Sequence, residues 1–219
     1  MQTILTKSEL QLFAKLPSPF KIQEYLDSIP YSDEERYRCP RSVLQDCKAH
    51  CYDGAVFAAA ALRMIGYPPL LVDMLPNSRD DDHILAVFRL KNRWGAVAKS
   101  NFSGLRFREP VYRGLRELIM SYFESYYNIA GEKTLLGYTA PLHLNRFDKL
   151  NWLVNDKAMD AIAQGLDENR KYRILTPAMA RQLSAVDSRS YHAGLLGANQ
   201  KGLFQPKERN TNAYTIRKK

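Results

Sequence analysis

Two residues able to do covalent chemistry stand at element boundaries in this chain. Cys51 lies where a polar stretch gives way to an Ala-rich one, and His83 where an acidic loop gives way to an apolar run. A thiol attacks carbonyl carbon as thiolate, and a helix N-terminus favours that anion. An imidazole beside it takes the thiol proton and later returns it to a leaving group. Taken singly, Cys51 reads as a small buried hydrophobe and His83 as a satisfied strand-end residue. Taken together, at a helix start and a strand start, they are the two halves of a thiol–imidazole pair, provided the fold joins them. Residues 94–101 contain no Asp or Glu, so Ser100 and Asn101 are the candidates on the next strand to orient the imidazole.

The elements that must position this pair are legible from the apolar pattern. Residues 51–65 are apolar nearly all round and rich in Ala, which predicts a buried helix, stopped by Gly66, Pro68 and Pro69. Residues 70–75 read as a buried strand, followed by a polar loop over 76–82. Residues 83–90 and 94–100 read as two strands of a hairpin turning through Lys91-Asn92-Arg93. Upstream, short helices are expected over 9–15 and 19–26, the first ended by Pro17 and the second begun by Pro19. Downstream, apolar residues at 111, 115, 118, 119, 122 and 126, after Pro110, predict a helix over 111–127. Arg106 and Arg108 alternate with Leu105 and Phe107, as on an edge strand with one polar face. A short extended segment is expected over 137–144 and a last helix over 156–166. Helices, a buried helix, an antiparallel sheet and further helices make an α+β protein rather than a βαβ one. One domain over residues 1–190, with its core at about 40–110, and a basic, mobile tail over 191–219 are expected.

The run Cys51-x-Asp53-Gly54-Ala55, continued by Phe57-Ala58-Ala59-Ala60-Leu62-Arg63-x-x-Gly66-x-Pro68, resembles the cysteine segment of the transglutaminase-like superfamily. His83 opening one strand and Trp94 on the next resemble that superfamily's His and Trp strands. Residues 105–113 resemble uncharacterised bacterial proteins carrying such a domain. The resemblance to the superfamily motifs spans residues 43–101 and rests on spacing and order. It implies a papain-like α+β core in which Cys51 is the nucleophile and His83 the general base and then acid. It also implies a peptide, protein or acyl-amide substrate and no cofactor. The chain departs from the family where an Asp usually stands about four residues after the Trp: here that residue is Ala98. Papain-like enzymes orient their His through an Asn amide oxygen, which makes Asn101 the expected third member and Ser100 its reserve. Gln45, six residues before Cys51, stands at the offset of the papain-type oxyanion Gln and is the oxyanion candidate beside the Cys51 backbone N–H. The missing carboxylate keeps a second reading open, a non-catalytic module that binds a protein or peptide in the same cleft.

Composition narrows the remaining classes. The chain has 219 residues, 45% hydrophobic and 25% charged, with mean hydropathy −0.40, enough for one good core. No apolar run approaches the roughly 20 residues of a membrane helix. The N-terminus carries no basic stretch followed by an apolar segment, so no signal peptide is expected. Three closely spaced cysteines, Cys39, Cys47 and Cys51, do not make a secreted disulfide framework and suit a reducing cytoplasm. The net charge of +9 is weighted to Lys201, Lys207, Arg209, Arg217, Lys218 and Lys219. Such a tail attracts polyanions in general, and no nucleic-acid module accompanies it. Cys39, Cys47, His50 and Cys51 fit none of the paired zinc spacings, so no metal is expected there. Asp80-Asp81-Asp82 is open to three readings: a solvated loop, a divalent-cation site, or a charge that raises the His83 pKa and screens substrates.

Overall fold

In the computed structural model, which describes residues 5–206, helices flank both faces of one antiparallel sheet. Helix α1 (Lys7–Ala14) starts on a capping box between Thr6 and Glu9, and α2 (Pro19–Ser28) starts on Ser18 with Pro at its first position. Helix α3 (Pro40–Asp46), which the sequence pattern leaves unassigned, ends where Cys47 turns left-handed. Helix α4 (Cys51–Met64) is capped by His50, whose Nδ1 accepts the Tyr52 N–H at 3.1 Å. Its residues 52–62 are all buried, so the small Ala side chains let neighbours approach from every side.

Strands β1 (Leu70–Pro76), β2 (His83–Leu90) and β3 (Arg93–Val97) form the antiparallel centre of the sheet. Lys91 and Asn92 both take positive φ (46° and 63°), the two-residue turn that matches strand twist. The expected helix over 111–127 is not formed as such. Its first part is edge strand β4 (Arg108–Tyr112), Gly114 breaks the period, and only α5 (Leu115–Met120) is helical, followed by a 3-10 turn at Phe123–Ser125. Val111 lies on the edge strand and is exposed, whereas Leu118, Ile119, Tyr122 and Tyr126, on and beyond the short helix, are buried. Strands β5 (Leu135–Thr139) and β6 (Leu142–His143) pair with β1 on its other side. Helix α6 (Ala158–Asp167) precedes β7 (Lys171–Arg173), which closes the order β4-β3-β2-β1-β5-β7. Helices α7 (Pro177–Arg181) and α8 (Ser188–Gly194) follow.

The side-chain alternation of β2 divides the core. Ile84, Ala86 and Phe88 pack with α4 and its neighbours, while Leu85 and Val87 pack with Leu118, Ile119, Tyr122 and Tyr126 on the opposite face. Burial on both faces is why β2 reads as a continuous apolar run. Residues 191–206, expected within a mobile tail, carry the end of α8 and a 3-10 turn at Gln200–Gly202. Residues 207–219, the rest of that expected tail, lie outside the described residues. Among the described residues no helix is long and apolar enough to cross a membrane.

Candidate active site

Cys51 is the first residue of α4, and the chain enters that helix under tight control. Asp53, fully buried, accepts the Arg38 backbone N–H at 2.8 Å and the His50 N–H at 3.4 Å. Arg38, also fully buried, reaches Asp53, Asp46 and Ser32 and pairs with Glu34. Burial pushes the Asp53 carboxyl upward, and the neighbouring His50 and the bonds from Arg38 and His50 work against that. Gly54 follows because the chain beyond β3 passes directly beneath it: a Cβ there would lie 2.3 Å from Lys99 Cβ. The Cys-x-Asp-Gly pattern thus fixes the helix start through one buried ion pair and one close crossing.

The crossing residue, Lys99, is itself buried. Its Nζ donates to the Leu26 and Ile29 carbonyls at 2.6 and 2.5 Å, capping the end of α2, and burial lowers its pKa to about 8. Gln23 holds the preceding residue, exchanging hydrogen bonds of 3.0 Å with both backbone groups of Ala98. Lys99 and Gln23 were not singled out by sequence reasoning, because neither spacing nor type distinguishes them from surface residues.

The Cys51 thiol meets the backbone on both sides of His83. Its Sγ lies 3.9 Å from the Asp82 carbonyl oxygen and interacts with the Ile84 N–H and the Tyr31 hydroxyl. The Tyr31 hydroxyl also interacts with the Cys51 backbone N–H. Burial, then Asp82 and Asp81, push the thiol well above the usual cysteine range. The expected stabilisation of a thiolate by the helix start is therefore outweighed in this closed state by desolvation and nearby carboxylates.

His83 is buried, and its Nε2 lies 2.8 Å from the Leu105 carbonyl oxygen. A carbonyl can only accept, so Nε2 carries the proton and Nδ1 keeps its lone pair in the neutral ring. Burial lowers the His83 pKa to about 4, against the Leu105 bond and the Asp82 charge, which raise it. The orienting bond that was expected from Asn101 is made by this main-chain carbonyl. Asn101 is occupied elsewhere: its Nδ2 donates to the Asn199 carbonyl at 2.8 Å and its Oδ1 accepts the Asn199 N–H at 2.7 Å. Ser100 accepts the Phe102 N–H at 3.0 Å. Ala98, where the family Asp would stand, is buried in the same cluster as Leu85.

Cys51, His83, Ser100 and Asn101 line one cavity of about 1140 Å³, together with Tyr31 and the acidic loop. Gln45 is exposed on α3 and does not line it. The side chain that does reach Cys51 is Tyr31, 20 residues upstream, through its hydroxyl. A bridge between Tyr31 and Ala49, with the Ser32 N–H on the Ala49 carbonyl at 3.0 Å, ties that stretch to the segment just before Cys51. Of the acidic run, Asp81 is exposed, whereas Asp80 is buried, accepts a 2.5 Å bond from the Thr134 hydroxyl, and is pushed by burial up to about 7. Tyr126 pins the loop through the Asp81 carbonyl at 2.9 Å. Among the described residues no three His, Cys, Asp or Glu side chains converge as a metal-ligand set.

No family model matches this chain, and no curated protein does. Among solved structures, Legionella pneumophila LapG is similar over 42% of this chain and 59% of that chain, with 15% identity and a TM-score of 0.34. The similarity thus spans less than two thirds of LapG's own length.

Proposed function

We propose that this protein is a cysteine-nucleophile acyl-transfer enzyme with a papain-like, transglutaminase-like core. In this reading Cys51 cleaves or transfers an amide, ester or thioester acyl group through a Cys-thioester. The observation that carries the reading is the junction at β2: the Cys51 thiol, on the first turn of α4, meets the backbone on either side of a histidine whose tautomer leaves the lone pair on Nδ1. The order of elements, Cys on a helix start, His on a strand start and Trp94 on the paired strand, supports the core assignment.

In this mechanism His83 Nδ1 takes the Cys51 proton as sulfur bonds to the carbonyl carbon, and the C=O π pair moves onto oxygen. The Cys51 N–H is one donor to that oxygen. The resulting imidazolium is stabilised by the Leu105 carbonyl and by Asp82, in the absence of a carboxylate at position 98. Collapse expels an amine, alkoxide or thiolate, which takes the proton from His83. Water, deprotonated by the same Nδ1, then attacks the thioester, or an amine does so in a transfer reaction. The C–S bond breaks as the intermediate collapses, and the Cys51 thiolate takes the proton back from His83 as the acid or the new amide leaves.

A second reading has its own observation: the thiol is held protonated by burial and by two nearby aspartates. On that reading the cleft binds a protein or peptide without turnover. The deciding experiment is a panel of amide, ester and thioester substrates followed by intact-protein mass spectrometry. Catalysis predicts an acyl adduct on Cys51, absent in Cys51→Ala. It also predicts a loss of about 10²–10⁴-fold in kcat/KM in His83→Ala. Binding that survives in Cys51→Ala with no adduct anywhere in the panel establishes the module instead.

A further inference from the structure

The grip of Asn101 on Asn199 has a form of its own. One side-chain amide meets both backbone groups of a single residue, donating to its carbonyl at 2.8 Å and accepting its N–H at 2.7 Å. That residue is extended, with φ −73° and ψ 108°. The amide therefore acts as a one-residue β partner, and it reads no side chain in doing so. The same extended residue sends its own Nδ2 to the Tyr31 carbonyl at 3.0 Å.

Beyond it, Lys201, Gly202, Leu203 and Phe204 line the cavity that holds Cys51 and His83. Gly202 runs against the Tyr31 ring, where a Cβ would lie 2.9 Å from Cδ1 and 3.1 Å from Cε1. Tyr31 is in turn the residue whose hydroxyl interacts with both the thiol and the N–H of Cys51. The segment so placed is lightly anchored: Leu203 is its one buried apolar side chain, and Lys201 is exposed. Segments held mainly by polar bonds at the surface open locally at small free-energy cost.

We propose that the cleft beside Cys51 binds an extended polypeptide, that Asn101 clamps one residue of it by the backbone, and that in the free protein the chain's own residues 199–204 occupy that place. The occupant is a peptide in cis, and the ligand that displaces it is an extended peptide in trans, gripped by the same amide. Asn101 is on this account a peptide-positioning residue, and the segment shields the thiol by holding Tyr31 over it. The inference uses the same cleft as the proposed acyl transfer and rests on that reading for the peptide's role as substrate.

The test is the rate at which iodoacetamide alkylates each cysteine of the full-length chain at pH 9, read by peptide mass spectrometry. Exposed Cys47 serves as the reference and buried Cys39 as the monitor of global unfolding. Asn199→Pro keeps a φ that proline allows while deleting the N–H and the side-chain amide. The expected result is a rise of about tenfold or more in Cys51 labelling, with Cys47 and Cys39 unchanged, as for a local opening. A synthetic peptide of residues 197–206, added to that variant, restores protection. If labelling of Cys39 rises as well, Leu203→Ser provides the release from the other end of the segment.

Hydrogen exchange over residues 197–206 shows whether the segment has come free. Unchanged Cys51 labelling with the segment free overturns the proposal, as does a peptide that gives no protection. None of these readouts needs turnover. Protection without any acyl adduct would sink the catalytic reading alone, and an acyl adduct without protection would sink this one alone.

Discussion

At the residue scale the site is a neutral pair in its closed state. Burial raises the Cys51 thiol and lowers the His83 imidazole to about 4, so at neutral pH the proton sits on sulfur. The alkylation rate of Cys51 in the resting protein should therefore climb about tenfold per pH unit from pH 7 to 9. A plateau reaching down to pH 5 would instead mark a thiolate–imidazolium pair. The same shift in His83 bears on stability. Its folded pKa lies below the ordinary value of about 6.5, so the unfolded chain binds the proton first. The His83 contribution to stability is complete above about pH 6.5 and is lost as the pH drops towards 4, by about 3 kcal/mol in full. Buried Asp80, held up to about 7, gains stability over the same pH fall and opposes this loss. The His83 contribution is therefore read as a difference: between pH 7 and pH 4.5, urea unfolding should lose about 3 kcal/mol more in the wild type than in His83→Gln.

At the scale of elements, the start of α4 depends on two features that touch nothing catalytic. Arg38→Ala leaves Asp53 buried without its guanidinium, and a loss of about 3–5 kcal/mol is expected from breaking a buried ion pair on one side. Gly54→Ala drives a methyl into Lys99, 2.3 Å from its Cβ, and overpacking of this kind costs about 1–3 kcal/mol. Thermal unfolding of both variants checks the figures. A Gly54→Ala protein as stable as the wild type would show that the strand extension and the helix can part without cost. Since Lys99 also caps α2, that parting should be felt at Leu26 and Ile29 by hydrogen exchange.

At the scale of the whole molecule, charge is divided. The chain carries +9, yet the cavity around Cys51 is lined by Asp33, Glu35, Asp81 and Asp82, among other carboxylates. A concave acidic surface repels anions locally whatever the net charge. Iodoacetate should therefore label Cys51 more slowly than iodoacetamide by a factor about three to ten larger than at Cys47, and added salt should shrink that factor. Equal ratios at the two cysteines would mean that pairing has neutralised the lining.

What the sequence determined by itself was local. Apolar pattern and turn chemistry placed α4, β1 and the β2–β3 hairpin close to their observed bounds, because a buried Ala-rich helix and a two-residue turn are set by neighbours in the chain. The same pattern put Cys51 and His83 at element starts. The 111–127 stretch misled because Val111 extends the helical period by chance from an edge strand, where it is exposed, while the buried members of the pattern begin only beyond Gly114. The partners of the pair belonged to tertiary structure alone. A main-chain carbonyl at Leu105 carries no residue-type signal, so the orienting bond fell to Asn101 in the sequence and to Leu105 in the fold. Tyr31 reached the thiol through a bridge to Ala49, and Asn199 met Asn101 across 98 residues of chain. Contacts of that range depend on how the chain closes on itself, which periodicity along one segment does not encode.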